Sequence, residues 1–339
     1  MVKTRPVFVP SPRGTSPRQH KESEHIESSP TKQLETIFQK VGTKLARHQH
    51  SRPSSPRGKS KNIQLIDLKR ANNLAIALAN FKINSKGHEQ IVHDIVCLND
   101  KVVHAELLAC LQRFFPTEDE RKMLQTYDGP IAKLGKAEQF IYEMVRVPDM
   151  HERIDMFLYK LEFLRNQRGL LSKIQTVKRA CRDLLENFSF LQALEKFYED
   201  YTTKSFQVFL DHKAVFKSEH LSKIDEKLRS FRDDLLKAVP IESLDLQIQW
   251  NRMLSGMRPI HAFVEKHQDV QAHMLSKRDL VAHDVLQLFI VETRGTMAEI
   301  EKEYENMGVL EDKLLSAFGE SKASNCPLST ILQSVVDIL

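Results

Sequence analysis

Glycine is scarce in this chain, with eleven in 339 residues, and there are only four cysteines and one tryptophan. Each shortage excludes something. Without G-x-G-x-x-G, G-x-x-x-x-G-K-[ST] or G-x-S-x-G anywhere, the chain carries no dinucleotide fingerprint, no phosphate loop and no nucleophile elbow. Cys97, Cys110, Cys181 and Cys326 are far apart and form no C-x-x-C pair, which points to reduced thiols and not to a disulfide framework. No run of about eighteen apolar residues is present, and the first residues do not read as a signal peptide. These absences predict a soluble protein of the cytoplasm.

What is present begins with an uneven charge. Residues 1–62 hold thirteen Lys and Arg against four Asp and Glu, so nearly all of the basic excess belongs to that segment. The rest of the chain is slightly acidic, which argues against a nucleic-acid-binding fold. The same segment holds seven of the thirteen prolines, with "SPRGTSPR" and "SSPRGKSK" as recurring pieces. Such a composition buries too little apolar area to offset ordering entropy, so residues 1–62 are expected to form a disordered basic tail. Ser11, Ser16, Ser29 and Ser55 each precede proline and are candidate sites for proline-directed phosphorylation, although ordinary tail composition is the better account of them. Within the tail, Leu34, Ile37, Phe38, Val41 and Leu45 recur at helical spacing beside Lys40, Lys44 and Arg47. They predict a short basic amphipathic helix that docks weakly on a partner or an anionic membrane.

From Leu65 onward the pattern is helical, giving an all-α fold. Pro116-Thr117-Glu118-Asp119-Glu120 opens one helix with a capping box, and Asp128-Gly129-Pro130 makes a turn. Pro148 ends a helix, and another begins near Asp149. One long amphipathic helix is expected over 174–201, with Val177, Cys181, Leu184, Phe188, Leu191 and Leu194 buried. Further helices are expected over 206–238, 244–257, 259–269 and 272–307, with a last one after Pro327. Phe206–Ala238 and Ala272–Met307 are long enough to pair as a coiled coil, within one chain or between two.

Catalytic chemistry is hard to find. "HEQIVH" (88–93) separates its histidines by five residues, which sets them about 140° apart on a helix, whereas a zinc-protease motif needs four. The carboxylates are mixed with Lys and Arg and read as solvated helix faces. Trp250 reads as a packed anchor. No cofactor or metal is expected, and the chain reads as a protein that is not an enzyme.

One stretch stands apart: "RANNLAIALANF" (70–81) places two adjacent amides ahead of a broad apolar face. Extended to "LIDLKRANNLAIALANFKI" (65–83), it resembles the helix opening the knob of the formin homology-2 domain. Other pieces are similar to that family in the same order. Residues 107–163 hold its P-T-x-x-E, L-x-x-x-E-Q-F and V-P-x-x-x-x-R elements; "TVKRACRDLLENFSFLQAL" (176–194) resembles the start of the post; and 304–332 resembles the end of the coiled-coil part, with F-G-E followed by C-P.

The resemblance implies an elongated helical bundle of knob, partial post and coiled-coil region over residues 63–339. It also implies actin as the partner, bound at filament barbed ends, and self-association through the helical region. Ile76 would supply an apolar contact, with Asn72, Asn73, Lys69 and Arg70 beside it, and a solvated role serves the two basic residues equally well. The resemblance breaks in two places. The family's tryptophan-bearing lasso should precede Leu65, and G-N-x-x-N should continue the post where this chain has "EKFYEDYTTKSFQVF" (195–209). Those are the two halves of the family's ring interface. The reading therefore extends to actin binding and cytoskeletal organisation and stops short of processive elongation. Its alternative is a helical scaffold that has lost actin assembly.

Overall fold

A computed structural model of the protein describes residues 63–81, 87–220, 226–268, 276–324 and 326–339. Its architecture there is all-α, with one isolated bridge between Ile63 and Leu134. The tail, its proline-directed serines and its amphipathic island lie outside the described residues.

The first five helices are short. They are α1 (Leu68–Asn80), α2 (His88–Val96), α3 (Ala105–Arg113), α4 (Glu118–Gln125) and α5 (Lys136–Val145). The expected capping box at α4 forms: the Thr117 hydroxyl accepts from the Glu120 N–H, and the Glu120 carboxylate accepts from the Thr117 N–H at 2.9 Å. The α1, α2 and α4 helices pack on α5, which buries Phe140, Ile141 and Met144 among them.

Next comes α6 (Met150–Leu185), a helix of 36 residues that the rest of the fold is built on. It is followed by α7 (Phe188–Tyr201), α8 (Phe206–Val215) with a π turn at Phe216–His220, α9 (Glu226–Ser230), α10 (Arg232–Ala238), α11 (Ser243–Gln268), α12 (Lys277–Ala317) and α13 (Leu328–Ile338). The α3, α10, α11 and α12 helices all pack against α6. The Tyr159, Phe163 and Phe289 rings meet edge to face where α6 crosses α12. Gly256 allows the Tyr159 ring to lie against the α11 backbone, where a Cβ would overlap it, and the Tyr159 hydroxyl donates to the Met253 carbonyl at 2.8 Å.

Several helix limits differ from the periodicity. The single helix expected over 174–201 belongs to two helices that break at Glu186-Asn187. Asn187 is buried, and its side chain accepts the Phe190 N–H at 2.9 Å, which starts α7 afresh. The break turns the apolar stripe, and Phe188 is 70% exposed instead of buried. The pattern over 206–238 is likewise divided, because the π turn and the ends of α9 and α10 interrupt it. Conversely, the two helices expected on either side of Pro259 are one: Pro259 lies inside α11 on an exposed face, while Met257 and Ile260 stay buried on the same stripe. The helix expected over 272–307 spans Lys277–Ala317, with its Ser276 side chain accepting the Asp279 N–H.

All four cysteines are free, and burial pushes the thiols of Cys110 and Cys181 up to about 11 and about 12. No described helix is long and apolar enough to cross a membrane.

Candidate functional site

Helix α1 starts because Asp67 accepts the Arg70 N–H at 3.0 Å. Asn72 and Asn73 therefore sit in the second turn. Leu74, Ala77 and Leu78 are buried against α5 and form the inner face. Ile76 lies about 200° from Leu74 and from Leu78 around the helix. It is half-buried and, unlike Ala71 and Ala75, does not pack against the core formed by the described residues. Lys69 and Asn72 are exposed and Asn73 is half-buried, so these residues line the outward side with Ile76.

Arg70 has a different position. Its Nη2 donates to the Glu120 carboxylate at 3.1 Å and to the Phe115 carbonyl at 3.2 Å, and its Nε lies 3.0 Å from Glu120 Oε1. Glu120 is buried and also completes the α4 capping box. Arg70 thus ties the first turn of α1 to the start of α4, instead of standing in solvent.

The entry to α1 is held from the other side by Glu138. Its carboxylate is buried and accepts the N–H groups of Leu65 at 2.6 Å, Ile66 at 3.1 Å and Gly135 at 2.9 Å. A buried carboxylate is tolerated only with such partners. Gln139 donates to the Leu134 carbonyl at 2.8 Å, and Ile63 donates to the Lys133 carbonyl at 2.8 Å. L-x-x-x-E-Q-F is therefore a clamp: Leu134 and Phe140 fill the core while Glu138 grips the strand-like lead into α1.

V-P-x-x-x-x-R is a second clamp. Arg153 donates from Nε to the Pro148 carbonyl at 3.2 Å and from Nη2 to Asp279 at 2.6 Å, and its guanidinium covers the Phe263 ring at 5.1 Å. Beyond the capping box of Glu120, the roles of Glu120, Glu138 and Arg153 could be guessed only as motif letters, because Arg70, Leu65 and Asp279 are 50, 73 and 126 residues away from them.

The histidines of "HEQIVH" face different neighbours. His88 meets the Phe140 ring edge-on at 5.7 Å, and its pKa is lowered by burial and by Lys136; His93 lies 3.8 Å from the Cys97 sulfur. Among the described residues no group of three His, Cys, Asp or Glu is placed to hold a metal ion. Trp250 is buried on α11, as an anchor would be.

Comparison with known proteins adds to this geometry. The sequence profile of the Formin Homology 2 Domain matches residues 15–198. That stretch includes α1, the Glu138 clamp and Arg153 of the second clamp, starts inside the Ser/Pro-rich segment and ends within α7. The chain is similar to "Formin-like protein 20" of Arabidopsis thaliana, 24% identical over 346 residues, covering 95% of this chain and 21% of that protein. It is 23% identical over 327 residues to "Formin-like protein 3" of Oryza sativa subsp. japonica, covering 90% and 26%. With "Formin-like protein 12" of the same rice it shares 33% identity over 158 residues, covering 45% and 9%. The chain therefore spans no more than about a quarter of the length of these curated relatives.

Proposed function

Since the chain belongs to the formin homology 2 family, we propose that it organises actin, with Ile76 as the central contact on filament barbed ends. One observation supports this most: Ile76 is a large apolar side chain that leaves the core on a helix whose start is pinned by Glu138 and by Arg70. A rigid element presenting an apolar residue loses little entropy on binding. Fully burying an isoleucine contributes about 1.5–3 kcal/mol, and Ile76 is already partly covered, so insertion into an apolar cleft adds about 1–2 kcal/mol. Asn72, Asn73 and Lys69 would meet polar and acidic groups around that cleft. Arg70 would act by holding the helix in place.

The proposed actin-binding unit is residues 63–339, acting in the cytoplasm and cytoskeleton, with self-association through the helical region and weak membrane contact through the basic tail. The proposal includes barbed-end binding and leaves out processive elongation, because the segment after Leu194 lacks G-N-x-x-N.

The test is cosedimentation with actin filaments together with pyrene-actin elongation. The chain is expected to pellet with filaments and to slow barbed-end growth, and Ile76→Ala is expected to weaken both about tenfold, the equivalent of about 1.4 kcal/mol. Its melting temperature should change little, because Ile76 lies outside the core packing. Absence of both binding and barbed-end inhibition in the parent chain would leave the scaffold reading in its place.

A further inference from the structure

Helices α11 and α12 run antiparallel along α6. At one end Arg153 touches both Phe263 and Asp279, midway Tyr159 reaches both Met253 and Phe289, and at the other end Ser243 donates to Glu311 at 2.6 Å. Each helix turns one face to α6. Between them, on the opposite side, a groove of about 490 Å³ remains open.

Its floor is apolar. Trp250, Leu254 and Met257 come from α11, and Ile290 and Met297 from α12. Leu254 is 39% exposed, and Val291, one step around α12 from Arg294, is 61% exposed. Trp250 to His261 is about three helical turns, or about 17 Å. These dimensions suit a helix lying along the seam, completing a four-helix arrangement with α6, α11 and α12.

The rim specifies the sign of charge. Arg258 and Arg294 border the floor from the two helices. On its own helix Arg258 has Leu254, Ser255, His261 and Ala262 at three- and four-residue spacing, and Arg294 has Ile290, Val291, Met297 and Ala298. None is a carboxylate. Some cations of the bundle are matched, as in Lys178 with Glu303 at 2.6 Å and Lys322 with Asp312 at 2.8 Å, whereas neither groove arginine forms an ion pair among the described residues. Among the described residues Glu301 is the one carboxylate lining the groove.

The geometry points to a docking groove for an acidic amphipathic helix of a partner protein, its apolar stripe on Trp250, Met257 and Met297 and its carboxylates on Arg258 and Arg294. The chain's own basic island, with Lys40, Lys44 and Arg47, has the wrong sign to fill it. This inference is independent of actin binding, which the reading above assigns to α1.

Trp250 is the only tryptophan and lies in the groove, so the full chain carries its own reporter. The probe is a hydrocarbon-stapled peptide of about four helical turns with Leu at i, i+3 and i+7 and Glu on both flanks; stapling is needed because so short a helix is marginal alone. Its isostere carries Lys for Glu. Saturable change of Trp250 emission is expected with the Glu peptide, at least tenfold weaker with the Lys peptide, and weakened by salt. The double variant R258E/R294E, whose altered side chains are both exposed, should keep the parent's circular dichroism and reverse the preference. No saturable response, equal binding of both peptides, or unchanged preference in R258E/R294E would overturn the proposal. So would tighter binding of a peptide of residues 33–47, or an emission change that depends only on chain concentration and tracks dimer formation.

Discussion

Gly319 has φ +74, and a Cβ there would overlap the carbonyl of Lys204. It is the centre of the F-G-E element. Phe318 on one side is fully buried against Phe206 and Phe209, and Glu320 on the other accepts the Phe206 N–H at 3.3 Å. The three residues lock the end of α12 onto the start of α8. Gly319→Ala meets both a left-handed backbone and a backbone clash, so it should destabilise the protein by about 2–3 kcal/mol in urea unfolding. A change under about 0.5 kcal/mol would mean the close approach is not held in solution. Ile76 is the opposite case, a residue whose removal is expected to spare the fold and impair binding.

At the scale of elements, helix limits here are decided by side chains that find a backbone partner. Asn187 is the instructive one. The apolar spacing through residues 174–201 continues without a gap, yet the buried Asn187 side chain ends α6 and begins α7. Asn187→Ala should cost about 1–2 kcal/mol of stability, while Asn187→Asp, which keeps the acceptor, should cost less. Calorimetric melting of the two variants compares them, and equal losses would remove the cap as the cause. Pro259 shows the reverse, since packing of Met257 and Ile260 on one stripe carries α11 through a residue that usually breaks helices.

At the scale of the whole molecule, the Arg153–Asp279 pair joins the start of α6 to the start of α12, 126 residues later. Burial alone would raise the Asp279 carboxyl, but hydrogen bonds from Ser276 and Arg153, with the nearby positive charge, hold it below the usual carboxylate range. A depressed folded pKa stabilises the protein above the unfolded value of about 4, and this contribution is lost as pH falls through that value toward the folded one. Arg153→Gln should therefore be less stable than the parent at pH 7, and the difference should narrow below about pH 4, where the parent loses the same interaction. Urea unfolding from pH 7 to pH 3 reads this directly. A difference that stays constant with pH would assign the stabilisation to packing on Phe263 instead.

The sequence by itself determined the helical class, the capping box at Thr117, the reduced state expected of scattered cysteines, and the family through an ordered set of motifs. It did so because caps, turns and periodicity depend on residues within a few positions of one another. The resemblance also singled out Ile76 on the helix of residues 70–81. Tertiary structure alone decided what the motif letters do. Arg70 was legible as a surface cation beside Lys69, but its partners Phe115 and Glu120 are 45 and 50 residues away, and contact with them turns it into a brace. Glu138, Arg153 and Gly319 likewise take their roles from groups far along the chain, and the groove with its two unmatched arginines exists only where α11 and α12 meet. Long-range pairing is set by how the helices pack on one another, and no local pattern encodes it.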